Sequence, residues 1–174
     1  MTADIRKDIV ALLPRLRRFA YTLAGSFDEA DDLVQMACER ALTRLDQFEP
    51  GTRLDSWMFR IVRTVFIDET RRRKRRSTAD DTELDFVGFD ARIHEGMQAR
   101  FDLAVVRAEL GRMSEEHRAV LALVTLDGMS YQEAADTLGV PIGTVMSRLA
   151  RARKRLAQVL ESGDGRASDA SGAA

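Results

Sequence analysis

The segment from Ser130 to Leu156 constrains this chain more than any other stretch. Ser130-Tyr131-Gln132-Glu133 has the spacing of a capping box, in which the Ser oxygen accepts an orphan N–H and the Glu carboxylate reaches back to the cap. It predicts a short helix ending at Leu138, a tight turn at Gly139-Val140-Pro141, and a long helix to about Leu160. In that long helix Val145, Leu149, Ala152 and Leu156 share one face. Ser147, Ala150, Arg151 and Lys154 occupy the opposite face, with Met146 and Arg148 at its edges. A short capped helix, a Gly-containing turn and a second helix make a helix-turn-helix. The first turns of such a second helix reach base edges in the major groove, where Arg pairs with guanine through two hydrogen bonds. Cations further along suit phosphate contacts. The competing reading is a surface helix with an Arg-rich outer side. Residues 141–160 hold five cations and no acid, which weighs against it.

The rest of the chain also reads as helix. Ile5, Ile9, Leu12, Leu13, Leu16, Phe19, Ala20 and Leu23 recur at helical spacing, and Gly25 ends that run. Ser26-Phe27-Asp28-Glu29 is a second capping-box spacing, opening a helix with Ala30, Leu33, Val34, Ala37, Cys38, Ala41 and Leu45 on one side. Phe48 to Thr52 is a loop. A third helix starts near Asp55 and runs into an Arg cluster; Trp57, with Ile61 and Val65 on its side, reads as core rather than as a stacking platform. Helices resume over about 99–112 and, behind Ser114, over about 115–126, with Asp127-Gly128 as the stop. The expected fold is all-α, with two small helical domains. The first spans 1–76, a flexible acidic linker spans 77–98, the helix-turn-helix domain spans 99–161, and a disordered tail spans 162–174. Leu84, Phe86, Val87 and Phe89 suggest that the linker docks rather than floats.

The 27 Lys and Arg balance 28 Asp and Glu, which taken alone argues against a nucleic-acid binder. The sum hides blocks. Residues 28–49 hold seven acids against two bases, 71–76 are six cations in a row, and 77–98 hold six acids against one base. With the basic block at 141–160 the chain runs acidic, basic, acidic, basic, which suggests separate surfaces for separate partners. The cations at 71–76 follow a helix bearing Phe59 and Phe66, a pairing that suits a DNA backbone with unstacked bases. One Cys, Cys38, excludes an internal disulfide and a Cys-based zinc cluster. The charged start MTADIRKDIV and the lack of an apolar run near ~18 residues predict no membrane insertion and a cytoplasmic protein.

An enzymatic reading would place a metal among Asp28, Glu29, Asp31 and Asp32 for nucleic-acid hydrolysis. Asp28, Asp31 and Asp32 do share a helix face, but no His or further carboxylate is placed to complete a coordination shell. His94 and His117 are isolated. The expectation is no catalytic residue, no metal and no cofactor.

Three segments carry a resemblance. Phe27-Asp28-Glu29-Ala30-Asp31-Asp32-Leu33-Val34-Gln35 resembles a D-x-E-D-L-V-Q segment. Asp55-Ser56-Trp57-Met58-Phe59-Arg60-Ile61-Val62-Arg63, followed by Ile67-Asp68 and Arg71-Arg72, resembles W-L-F-x-I-A-R-N…D-x-x-R-R. Asp127 to Ala135 and Pro141 to Arg153 resemble G-x-S-Y-x-E-I-A…P-x-G-T-V-K-S-R-L-x-R-A-R. In this order they resemble the extracytoplasmic-function sigma factors of bacterial RNA polymerase, over about 10–76 and 99–160. The resemblance implies that Asp28, Asp31, Asp32, Leu33, Gln35 and Glu39 bind core polymerase. It implies that Pro50, Gly51, Thr52, Arg53, Arg60, Arg63, Thr64, Arg71 and Arg72 handle the −10 element, with an unstacked base captured in the loop from Glu49 to Leu54. It assigns Tyr131, Thr144, Met146, Ser147, Arg148, Ala150, Arg151 and Lys154 to the −35 element. Promoter DNA, core RNA polymerase and an anti-sigma factor follow as partners, and a stress response as the setting.

Two residues depart from the pattern. Thr64 stands where Asn is common, and Met146 where Lys or Arg is usual. The rival reading is a helix-turn-helix regulator acting without polymerase, which leaves the acidic helix and the first Arg-rich segment unexplained. Arg151→Ala is expected to weaken −35-dependent binding in a sequence-selective way, by about 1–3 kcal/mol. Equal losses on promoter and random DNA in a gel-shift titration would contradict base readout by Arg151.

Overall fold

The computed structural model describes residues 2–76 and 97–169, all of whose regular elements are helical. In order they are α1 (Thr2–Ala24), α2 (Phe27–Thr43), a 3₁₀ turn (Leu45–Gln47), α3 (Leu54–Arg76), α4 (Met97–Arg112), α5 (Glu115–Leu121) with a wide turn at Ala122–Leu126, α6 (Tyr131–Leu138) and α7 (Ile142–Asp169). The linker acids Asp80, Asp81, Glu83 and Asp85, the apolar residues Leu84, Phe86, Val87 and Phe89, and residues 170–174 of the expected tail lie outside the described residues.

Helices α1, α2 and α3 pack pairwise into the first group. Leu16, Phe19, Ala20 and Leu23 of α1 meet Leu33, Ala37 and Ala41 of α2 and Met58, Phe59, Val62 and Val65 of α3. Alanines at 30, 37 and 41, with Leu33 and Val34, form the buried stripe of α2. Phe19 and Phe59 meet edge to face at 5.1 Å, a geometry that aligns a ring's positive edge with its partner's negative face. Helix α1 continues through Pro14, whose missing N–H would have bonded the carbonyl of exposed Val10.

The second group winds α4, α5 and α6 around α7. Val145, Leu149 and Ala152 are fully or nearly fully buried, and Leu156 packs against them, as their spacing predicts. Ser130 forms both halves of its capping box: its Oγ accepts the Glu133 N–H at 3.2 Å, and Glu133 Oε2 accepts the Ser130 N–H at 2.8 Å. Gly139 takes φ +65°, the left-handed conformation that closes α6 and that glycine adopts without a Cβ penalty.

Three local expectations are corrected. Ser26 accepts the Glu29 N–H, but the Glu29 carboxylate binds Arg73 at 2.6 Å, because α3 presents a guanidinium there that outcompetes a neutral amide. Ser114 makes no cap bond; its Oγ meets His117 Nδ1 at 2.6 Å. Helix α7 continues past Leu160 to Asp169, since adding a turn to an existing helix needs no new nucleus.

Both groups share one hydrophobic core. They meet where α1 touches α5 and the wide turn, and where α3 touches α6. The wide turn, in which Asp127 N–H reaches back to Ala122 O, swings Asp127 round toward α1. Ser130→Ala should cost about 1 kcal/mol, lowering the melting temperature by roughly 2–4 °C for a chain of this size. Leu149→Ala should cost about 2–5 kcal/mol by opening a cavity. Calorimetry on the two variants checks the ranking.

Candidate nucleic-acid and polymerase interfaces

The outer face of α7 is the plainest surface. Met146, Ser147, Ala150, Arg151 and Lys154 are exposed, and Thr144 is half-buried. Tyr131, at the start of α6, is exposed as well. Arg148 differs: its Nη2 donates to Glu116 Oε2 at 2.8 Å, and the side chain is mostly covered. Further along, Arg155 donates through Nε to Glu109 Oε1 at 2.6 Å, and that carboxylate is buried. These two arginines tie α7 to α5 and α4, whereas Arg151 and Lys154 point outward. His117 on α5 faces the same region. Burial, then the charges of Arg148, Arg151 and Arg155, push its pKa below the usual 6.5, so it stays neutral near pH 7. Its place beside α7 could not be read from its position in the chain, because nothing local to 117 points to residues thirty positions on.

The acidic face of α2 is equally open. Asp28, Asp31, Asp32, Gln35 and Glu39 are exposed, with Asp31 paired to Arg17 at 2.8 Å and Gln35 bonded to Glu39 at 3.2 Å. Leu33 is 4% exposed and lies in the core, where it anchors the helix. Among the described residues no three His, Cys, Asp or Glu side chains are grouped to hold a metal ion.

The −10 candidates are spread over a loop and a helix. Pro50, Gly51 and Thr52 are exposed, with Thr52 Oγ1 donating to Glu49 O at 2.7 Å and Gly51 at φ +91°. Trp57 is half-buried against Phe48, with ring centroids 5.3 Å apart, and it borders an open cleft of about 480 Å³ with Arg53 and Arg60. It is thus partly core and partly cleft wall. Thr64 spends its hydroxyl on Arg60 O at 2.8 Å, within its own helix. Arg71 and Arg72 are exposed on the last turns of α3, Arg72 paired with Glu69 at 2.9 Å.

Arg53, Arg60 and Arg63 behave otherwise. Each meets the second group: Arg53 pairs with Glu133, Arg63 with Glu115, and Arg60 donates to the carbonyls of Asp136 at 3.1 Å and Thr137 at 3.3 Å. Asp136 and Glu133 therefore close one side of the cleft. Beside them Arg15 spans the groups, with Nη2 at 2.9 Å from Asp55 and 2.6 Å from Asp127, and Nε at 2.8 Å from Asp127. Hydrogen bonds to Asp127 above all hold the Arg15 guanidinium in its charged form. Asp55, bonded first by Arg53, then by Arg15 and the Ser56 N–H, has its pKa lowered to about 2. In sequence the carboxylates at 115, 127 and 133 mark only helix caps and a helix stop. Only packing brings them to the arginines.

A depressed carboxylate stabilises the fold above its ordinary value and ceases to do so as pH falls through its folded value. Asp55 should therefore contribute stability above pH 3.8 that disappears toward pH 2. Asp55→Asn should lower the melting temperature at neutral pH, and its deficit against the wild type should shrink across that window. A constant deficit in thermal melts from pH 2 to 5 would contradict the assignment.

Residues 9–76 match the family model for sigma-70 region 2, and residues 103–156 match that for sigma-70 region 4. The chain is similar to the ECF RNA polymerase sigma factor EcfG of Rhodopseudomonas palustris, at 38% identity over 92% of this chain and 87% of that protein. Its fold is similar to the sigma factor RpoE solved with the anti-sigma factor NepR from Bartonella quintana, with a TM-score of 0.77, 35% identity, and coverage of 91% and 97% of the two chains. It is also similar to CnrH solved with the cytosolic domain of CnrY, with a TM-score of 0.68, 26% identity, and coverage of 93% and 90%. The first helical group is thus region 2, the second is region 4, and the chain belongs to the extracytoplasmic-function sigma factors of RNA polymerase.

Proposed function

We propose that this chain directs core RNA polymerase to a set of promoters, binding the enzyme through α2 and reading DNA through α7 and α3. In this reading Asp28, Asp31, Asp32, Gln35 and Glu39 meet the polymerase. Met146, Ser147, Ala150, Arg151 and Lys154, with Tyr131 and Thr144, meet the −35 element. Arg148 positions α7 through Glu116 and touches DNA secondarily. Pro50 to Arg53, Arg60, Arg63, Arg71 and Arg72 meet the −10 element, and Trp57 forms one wall of the cleft that would receive an unstacked base. Thr64 adds no polar contact while its hydroxyl bonds its own helix. The protein acts in the cytoplasm and supplies no catalytic chemistry of its own; bond formation belongs to the polymerase.

The observation that carries this reading is the coincidence of the two matched regions with the two helical groups, each presenting an exposed charged surface of the sign its partner requires. Phosphates call for the cations of α7 and α3. A regulator working without polymerase has no use for the region 2 match. An anti-sigma protein is the natural controller, because relatives of similar fold were solved with NepR and with the cytosolic domain of CnrY.

Run-off transcription with purified core polymerase on a genomic template library tests the proposal. The chain should confer initiation at a small set of sites sharing −35 and −10 elements. A joint Asp28→Asn, Asp31→Asn, Asp32→Asn variant should lose core binding at least tenfold, roughly 1.4 kcal/mol, while keeping its fold by circular dichroism. Initiation no different from core polymerase alone would reject the proposal.

A further inference from the structure

We propose that His117, on α5, is a further DNA contact of region 4: it holds a backbone phosphate at the edge of the groove that α7 enters, and its imidazole takes up a proton from solvent as it does so. The proposal rests on the reading of α7 as a DNA-facing helix, and it adds that binding there is coupled to pH.

Arg148, Arg151 and Arg155 lie three and four positions apart and so form one stripe along α7. The outer two are held by acids: Arg148 by Glu116 at 2.8 Å and Arg155 by Glu109 of α4 at 2.6 Å. Arg151, between them, is exposed. His117 faces this stripe from α5, which packs along α7. The charges that act on it are those of the three arginines and of Glu116 on its own helix. The ring is half-buried, and its Nδ1 lies 2.6 Å from Ser114 Oγ. That contact fixes one edge of the imidazole and leaves Nε2 as its second hydrogen-bonding atom. A hydroxyl accepts as well as it donates, so Ser114 serves the neutral ring and the imidazolium alike. A major groove about 12 Å wide is filled by one helix of about 10–12 Å, so a side chain that flanks the inserted helix meets the phosphate wall rather than the bases.

In the free chain this setting disfavours the imidazolium, through burial first and then through the arginine charges, so the ring is neutral near pH 7. A phosphate reverses the balance. It offsets the repulsion from the arginines and accepts a charge-assisted hydrogen bond from Nε2–H, while Nδ1–H donates to Ser114 Oγ. The proton comes from water, and the phosphodiester keeps its single negative charge. The free value lies below 6.5 and the DNA-bound value above the free one. Affinity therefore rises as pH falls from the bound value toward the free value, and levels off once both states are protonated. A phosphate contact carries no sequence information, so the coupling belongs to any duplex, whereas base readout stays with Arg151.

Fluorescence anisotropy of the full-length chain on a mixed-sequence duplex of about 30 base pairs, at low salt, tests this. From pH 8 to pH 6 the wild type should tighten by about fivefold, within the tenfold per pH unit that uptake of one proton allows. His117→Gln keeps a polar side chain but does not titrate, and its affinity should show no such change. His117→Arg should bind at pH 8 as tightly as the wild type does at pH 6. At pH 6 the logarithm of the wild-type affinity should fall with the logarithm of salt more steeply than that of His117→Gln, by about 0.9, the value for one phosphate. The other histidine, His94, is present in all three proteins and cancels in the comparison. Circular dichroism checks that each variant keeps its fold. Equal pH dependence in wild type and His117→Gln, or a salt slope that His117→Gln leaves unchanged, would overturn the proposal while the DNA reading of α7 stands. Failure of the wild type to bind the duplex at every pH would reject that reading and the proposal with it.

Discussion

Arg15 joins the two halves of this molecule. It stands on α1, yet its guanidinium is shared between Asp55 at the head of α3 and Asp127 just past the wide turn that follows α5. A single planar cation with five donors in a fixed fork can satisfy two carboxylates from different domains in a defined geometry. The consequences spread outward. Asp55 is drawn into position to hold Arg53, which in turn reaches Glu133. The cleft beside Trp57 acquires a wall from α6. The relation of region 2 to region 4 thus rests on a chain of alternating charges, backed by an apolar contact that is continuous with both cores.

A chain of charges is a reversible way to join two domains. Buried apolar contact alone would hold them regardless of ionic conditions, but partly exposed ion pairs give way to any surface offering the same charges in better geometry. Polymerase and promoter DNA present such surfaces in quantity. The near-zero net charge has the same origin: the cations of α3 and α7 are balanced within the chain by acids, some on α2 and some on the face that covers α3. Long-range attraction to nonspecific DNA is weak under that balance.

The recognition helix illustrates a division of labour among arginines that look alike in sequence. Arg148, Arg151 and Arg155 lie on one helix, but two of them are bound to Glu116 and Glu109 and set its orientation. Arg151 keeps an exposed head group. A helix held at two points by charge-assisted hydrogen bonds presents its outer residues in a defined direction, which base readout requires.

Much of this was open to a reader of the sequence. Helical periodicity, the Ser130–Glu133 capping box, the Gly139 stop and the buried stripe of α7 are local properties, fixed by residues three or four apart and by the backbone freedom of glycine. The fold class and the outward face of α7 follow from them. The half-formed cap at Ser26, the wide turn after Leu121 and the engagement of Arg53, Arg60 and Arg63 do not. Each depends on a partner forty to over a hundred positions away, or on the direction in which one helix group meets another. Periodicity tells which side of a helix is apolar; it carries nothing about which acid will arrive opposite which arginine. The amino-acid order therefore determined the helices and their apolar and charged faces. Only the tertiary structure decided that Arg53, Arg60 and Arg63 meet region 4, because those contacts are made by charges whose pairing no local rule specifies.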